Sequence, residues 1–439
     1  MPNKKSLDEI NGSVVVPSVY ENSFFRKFLA YSGPGALVAV GYMDPGNWLT
    51  SLAGGSQYKY QLLSVLLISI IIAMFMQSLS IRFGIASRQD LAQAIANHTN
   101  KPVRYFLWIL NEIAMMATDL TGVIGTALAL KMLFNLPLIF GVLLTILDVF
   151  VVLWFMRFGI RRIEAITVIS IITVGIIFAI EVNHVHPNAG QIFQGFIPNE
   201  TIFTNQDKLI LSLGIVGATI MPHNIYLHSS LAQSRRYDYH DPRQVKETLR
   251  FANWDSIVHL VMALIINSLL LILGGILFFN HSDQLASLMD VFKGLNNSNI
   301  VGNLASPIMS YLFAFALLIT GLISSITSTL SGQIVMEGYL NIRLPLWQRR
   351  LLTRFVTLIP ILIIGFLVRF NETIFENLIV YAQIALSIAL PFTLFPLVFL
   401  TSNKKVMGVH VNKKWQFAIG LILTAIITLL NVELIIETI

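Results

Sequence analysis

The sequence predicts an all-α polytopic membrane protein, built as two inverted five-helix blocks with an extra helix. Three observations lead there. Of 439 residues, 55% are hydrophobic and 12% charged, and mean hydropathy is +0.72; a soluble chain carries about twice that charge. Apolar runs of about 20 residues, enough to cross a bilayer, recur along the whole length. Two of these runs are interrupted in matching fashion, at Asp44-Pro45-Gly46-Asn47 and at Met221-Pro222-His223-Asn224.

In chain order, residues 1–24 read as a disordered polar tail and 25–439 as one transmembrane domain. Spans are expected near 28–58, 61–82, 103–131, 138–156 and 163–182, making repeat one, about 28–182. Those near 208–233, 252–279, 307–338, 351–369 and 376–400 make repeat two, about 208–400, and 415–436 is the extra helix. An odd number of spans per block turns the second block over. The first apolar run is long and has many successors, unlike a cleaved signal peptide. The absence of cysteine excludes disulfides and thiolate ligands. A net charge of +6 and a pI near 9.4 fit basic loops better than nucleic-acid binding. Alternating the loops puts 24 of the 29 Lys and Arg, Arg343 among them, on the side of the N-terminal tail. Only Lys59, Lys131, Lys208, Lys293 and Arg369 fall opposite. That asymmetry predicts a cytoplasmic N-terminus and an external C-terminus.

The interruptions carry the chemistry. A mid-span carboxylate costs roughly 2.5–3.5 kcal/mol on insertion scales, so Asp44 marks a functional site. Pro45 and Gly46 are expected to unwind the helix, and Gly214 and Gly217 to loosen the turn before the second break. Carbonyls near Gly41 and Ala218 are then freed to line an oxygen-rich cation site. Asp44 and Asn47 offer hard oxygens, and Met221 offers a soft thioether. Sulfur tilts the choice from Mg²⁺ or Ca²⁺ toward a transition metal. Methionine in a membrane helix is usually packing and proline often only a kink; the matched pair of breaks points further. The E-x-x-H at Glu181 and His184 is a weak metal signal at a span end.

Other intramembrane polar groups invite roles. Glu112 and Asp119, seven apart, share a face of the third span, with Arg349, Arg350 and Arg354 as candidate partners. His223 and His228 are imidazoles of a kind that titrates near physiological pH, though a buried donor is the commoner role. Asp255 and His259 are spaced to pair with each other. Gln383, in the tenth span, is a candidate to face the cavity. Thr118, Gly122 and Thr126 form a small-residue row suited to helix contact.

These residues resemble the Nramp family of divalent metal transporters, of the bacterial manganese-importer kind. The stretches that carry the likeness are Gly41-Tyr-Met-Asp-Pro-Gly-Asn-Trp48, Gly217 to His228, Gly332 to Gly338 and Ser387 to Phe392. The resemblance implies a LeuT-like fold in a bacterial cell membrane. It implies metal ligation by Asp44, Asn47, Met221 and the Ala218 carbonyl, with Gly41 and Gln383 contributing in particular conformations. It implies import of Mn²⁺, and also Fe²⁺, Co²⁺ and Cd²⁺, with H⁺ moving the same way. His223, His228, Asp119, Glu112, Arg349 and Arg350 match the polar network linked to proton passage, together with Asp44. Two departures stand out: Gly122 where the family has Glu, and Leu322-Ile323 after Gly321 where it has Gln-Asn or Gln-Ser. They suggest an altered or weakened proton route.

The expected partners are divalent metal ions, H⁺ and the lipid bilayer, with no nucleic acid, no cofactor and no obligate protein partner. A Mg²⁺ carrier or an amino-acid carrier on the same scaffold is the alternative. Met221 argues against Mg²⁺, and Asp44 against an anionic solute. An enzyme is disfavoured: no nucleophile constellation, HExxH motif or sizeable soluble domain is present.

Overall fold

In hydrocarbon every backbone N–H and C=O must be paired within its own segment, so long apolar runs become helices. A computed structural model of the protein describes residues 6–21, 23–279, 287–301, 305–342 and 344–438; Lys4, Lys5 and Arg343 of the charge pattern lie outside them. Among the described residues, 9 helices are long and apolar enough to cross a membrane, and two shorter apolar helices, Pro34–Met43 and Leu138–Val151, fall at the first and fourth expected spans.

The first span is broken as expected at Asp44, and it is also divided before that. Phe24–Tyr31 is a separate helix, and the chain turns at Gly33, whose φ is 142°. Pro34–Val40, a 3-10 turn at Gly41–Met43 and Pro45–Tyr58 then follow. The sixth span is Gln206–Thr219 and Pro222–Leu231, interrupted at Ile220 and Met221. The tenth is Glu372–Ala389 and Pro391–Thr401. The third, seventh and eighth, Lys101–Phe134, Pro242–Phe278 and Pro307–Leu340, are long and uninterrupted.

The expectation of a disordered tail over 1–24 fails for its described part. Leu7 and Val14 are buried, the Leu7 N–H donates to Glu337 Oε2 at 2.9 Å, and Val14–Val15 pairs in parallel with Arg235–Arg236. Two apolar side chains within a polar stretch suffice to seat it.

Small residues bring the helices together, as in membranes generally. Gly55 lies against the backbone of Leu271 and Gly275, Gly84 against that of Ser229, and Gly125 against the Pro45 ring. The row Thr118, Gly122, Thr126 faces the eighth span: a Cβ at Gly122 would lie 3.6 Å from the Gly321 carbonyl, and one at Gly321 would strike Thr126. Gly55→Ala, against rigid backbone, is expected to cost about 1–3 kcal/mol by overpacking. Gly175→Ala, where the nearest atom is 3.6 Å away, is the matched control. Thermal unfolding in detergent checks both; equal midpoints would contradict this packing.

Candidate metal site at the paired helix breaks

Proline opens each break by what it lacks. Pro45 and Pro222 are the first residues of their helices, where a missing N–H costs nothing. Each ring forces the residue before it out of the helical region: Asp44 has φ −69° and ψ 168°, and Met221 φ −116° and ψ 139°. The carbonyls four residues earlier, Gly41 and Ala218, lose their intrahelical donors. Pro45 and Gly46 were expected to unwind the helix; the residue that leaves the helical region is Asp44, and Pro45 and Gly46 themselves begin the next helix. Gly46 is needed for closeness, since a Cβ there would overlap the Gln383 amide. Gly214 and Gly217 are also helical.

Asp44 is fully buried and caps the second half of its span. Its Oδ1 accepts from the Asn47 N–H at 2.9 Å and from Asn47 Nδ2 at 2.8 Å. Its Oδ2 lies 3.5 Å from Thr121 Oγ1 and from Gln383 Nε2. Asn47 Nδ2 also donates to the freed Gly41 carbonyl at 3.3 Å. Met221 and Ala218 are buried on the facing break. A cavity of about 50 Å³, lined by Gly46, Thr50, Gly217, Ala218 and Gln383 among others, adjoins the site on the face away from the tail. Toward the tail the structure is closed. The Tyr226 and Tyr339 hydroxyls meet at 2.8 Å, and Gln77 bridges Tyr42 and His228. Arg235 binds Glu164 together with the Tyr31 and Ser32 carbonyls. Among the described residues no cluster of three or more His, Asp or Glu exists to offer a different metal centre.

The polar network runs along the third span. Arg349 meets Glu112 at 2.7 Å, and Arg350 meets Asp119 at 2.9 Å, with Arg354 at 3.4 Å from Asp119. His223 Nδ1 is 3.2 Å from Thr118 Oγ1. Asp148, overlooked in the sequence reading, completes the set: Arg350 lies 3.2 Å from it and Arg354 also pairs with it. Its place in an apolar run was a usable signal. Asn267, which donates to the Tyr42 carbonyl at 2.7 Å beside the first break, was missed likewise. Asp255 pairs with His259 at 2.9 Å, and also accepts from the Gly33 and Gly35 N–H groups at 3.0 and 2.7 Å, holding the start of the first broken helix. Glu181 is buried without a hydrogen-bond partner, away from these groups. A Cβ at Gly122 would lie in ordinary contact with the Gly321 carbonyl and the Ser324 hydroxyl, and that hydroxyl is itself unpartnered. Leu322 is half-buried and Ile323 buried.

Two inverted repeats with paired broken helices, one carrying a buried carboxylate and amide and the other a buried thioether, define a membrane transport protein. The chain matches the natural resistance-associated macrophage protein-like family over residues 35–437. It is 48% identical over 435 residues to the divalent metal cation transporter MntH of Levilactobacillus brevis, covering 99% of this chain and 94% of that one. It superposes on the manganese transporter of Eremococcus coleocola with a TM-score of 0.91 at 42% identity, covering 97% of this chain and 90% of that one. MhsT, solved with L-phenylalanine, shares the fold at a TM-score of 0.60 and 14% identity, over 92% of this chain and 98% of its own. The protein belongs to the Nramp family.

Arg350→Ala would leave two buried carboxylates, Asp119 and Asp148, to the single charge of Arg354 and is expected to cost about 3–5 kcal/mol. Arg349→Ala, facing the more accessible Glu112, should cost less; thermal unfolding of both variants decides, and the reverse order would refute the assignment.

Proposed function

We propose that the protein imports divalent transition-metal ions, Mn²⁺ foremost and also Fe²⁺, Co²⁺ and Cd²⁺, across the bacterial cell membrane. One observation carries this reading: the buried Asp44 carboxylate at the first break is held by Asn47, beside a cavity that Ala218 of the second break and Gln383 also line, with Met221 buried at that second break. The manganese and divalent-metal transporters it is similar to support it. Asp44, Asn47, Met221, Ala218, Gly41 and Gln383 hold the metal as substrate. Asp44 neutralises charge, the oxygens replace water, and the Met221 sulfur disfavours Ca²⁺ and Mg²⁺. No catalytic residue and no cofactor is involved. The tail face is cytoplasmic and the C-terminus external, as the 24 basic residues on the tail side indicate. Import then proceeds from the side of the small cavity, with release requiring the tail face to open.

Protons move with the metal through a route that includes Asp44, Glu112, Asp119, His223, His228, Arg349 and Arg350. Gly122, Leu322 and Ile323 supply no carboxylate or amide to this route, so coupling is weakened or altered. The same broken-helix scaffold serves organic solutes in MhsT, but a carboxylate solute would meet Asp44 with like charge.

Flux in proteoliposomes with a pH dye inside tests the whole reading. Asp44→Ala should abolish Mn²⁺ uptake, because no other charge lies at the breaks; uptake close to wild type would end the metal reading. Met221→Ala should lose discrimination against Ca²⁺ and Mg²⁺ by about tenfold while slowing Mn²⁺ less, and unaltered selectivity would remove the thioether from the site. Gly122→Glu should raise the H⁺ flux accompanying each metal; no change, alongside ordinary coupling in the wild type, would show that protons do not need that position. An impermeant maleimide should label Asn11→Cys only after permeabilisation of intact cells; direct labelling would reverse the orientation.

A further inference from the structure

Of the proposed donors at the two breaks, only Asn47 has a counterpart that is not itself among them. Asp44 corresponds to Met221 as the residue before proline, and the Gly41 carbonyl to that of Ala218, four before it. Asn47 is the third residue of the helix opened by Pro45, and Asn224 the third of the helix opened by Pro222. Asn47 donates to Asp44 and to the Gly41 carbonyl. Asn224 is fully buried, and neither its Oδ1 nor its Nδ2 has a hydrogen-bond partner. Such an amide carries a desolvation cost with no return in this conformation. Its position is confined: a Cβ at Gly41 would overlap the Asn224 carboxamide, so it rests directly on the first break. The two amides thus flank Gly41, Asn47 from its carbonyl and Asn224 from its α-carbon.

The helix that carries Asn47 leads away from the tail face, and the one that carries Asn224 leads toward it. In an inverted-repeat carrier the two conformations exchange the roles of the repeats. We infer that Asn224 is a transient ligand of the transported metal, the inverted counterpart of Asn47, engaged when the site faces the cytoplasm. This rests on the metal-import reading. Its Oδ1 then takes up the metal as Asn47 or Gln383 lets go, and the ion leaves by a step between oxygens. The present conformation, closed toward the tail, is the one in which this amide has nothing to bind.

The chain has no cysteine, so a single thiol reports on this position alone. In Asn224→Cys, uptake of Cd²⁺ relative to Mn²⁺ should rise about tenfold, because a thiolate prefers the softer ion, and Mn²⁺ should slow alkylation of the introduced thiol from the cytoplasmic side. Asn224→Asp, which keeps an oxygen donor, should preserve Mn²⁺ uptake and raise that of Ca²⁺, while Asn224→Ala should reduce uptake about tenfold. A Cd²⁺ to Mn²⁺ ratio equal to wild type in Asn224→Cys overturns the assignment whatever Asn224→Ala does to rate. If Asn224→Cys does not fold, an unchanged Ca²⁺ to Mn²⁺ ratio in Asn224→Asp overturns it instead. A wild-type protein that moves no Mn²⁺ would overturn the import reading itself, which separates the two failures.

Discussion

A carboxylate in the centre of a membrane has to be surrounded by donors that belong to the protein, because neither water nor lipid supplies them there. Much of the site's architecture answers that requirement for Asp44. Its own helix provides two of the donors, the N–H and the side-chain amide of Asn47. The third and tenth spans approach with Thr121 and Gln383 at 3.5 Å. Those distances are long for hydrogen bonds, so one edge of the carboxylate is weakly committed. It is this edge that a cation can claim without first breaking a strong internal bond. Pro45 makes the arrangement possible, since it ends the preceding turn and begins a helix whose first N–H groups point at Asp44.

The second requirement is to keep other charges from competing. Three arginines, Arg349, Arg350 and Arg354, stand against three acids, Glu112, Asp119 and Asp148. The set is balanced in formal charge and lies along the third span and its neighbours. Buried ion pairs of this kind contribute little net stability, because desolvation offsets attraction. They place fixed, paired charges in the interior without leaving an unpaired arginine beside Asp44 among the described residues. Thr118 and Thr121, on the same helix, touch His223 and Asp44 in turn. The surroundings of Asp44 and the ion-pair set are therefore joined through one helix, the third span, and helix-to-helix closeness at Gly122, Gly125 and Gly321 fixes its position.

Much of this is legible in the sequence. The matched Asp-Pro-Gly-Asn and Met-Pro-His-Asn stretches named both breaks, and the arithmetic of a missing N–H named Gly41 and Ala218. The partners of Glu112 and Asp119 were foreseen as the arginines of the ninth span because no basic residue lies close to them within the third span. Asp148 was not, although an acid in the fourth apolar run was visible; it was lost in a segment judged only for length. The second duty of Asp255, capping the helix that begins at Pro34, has no local signature, because its partners are over 200 residues away. The packing of Leu7 and Val14 was hidden by the polar composition around them.

The sequence by itself determined the class of protein, the spans, the inversion of the repeats and the polar residue types at the two breaks. Those follow from hydropathy, from parity and from what proline and ionisable groups cost in hydrocarbon, which are all local properties. Tertiary structure alone decided which donors face one another and which remain idle. It decided that Gly46 serves closeness to Gln383 rather than an unusual φ, that Asp148 joins the arginines, and that the Asn224 amide lies unpartnered against Gly41. Such matters depend on how distant helices cross, and no local property of the chain encodes the crossing.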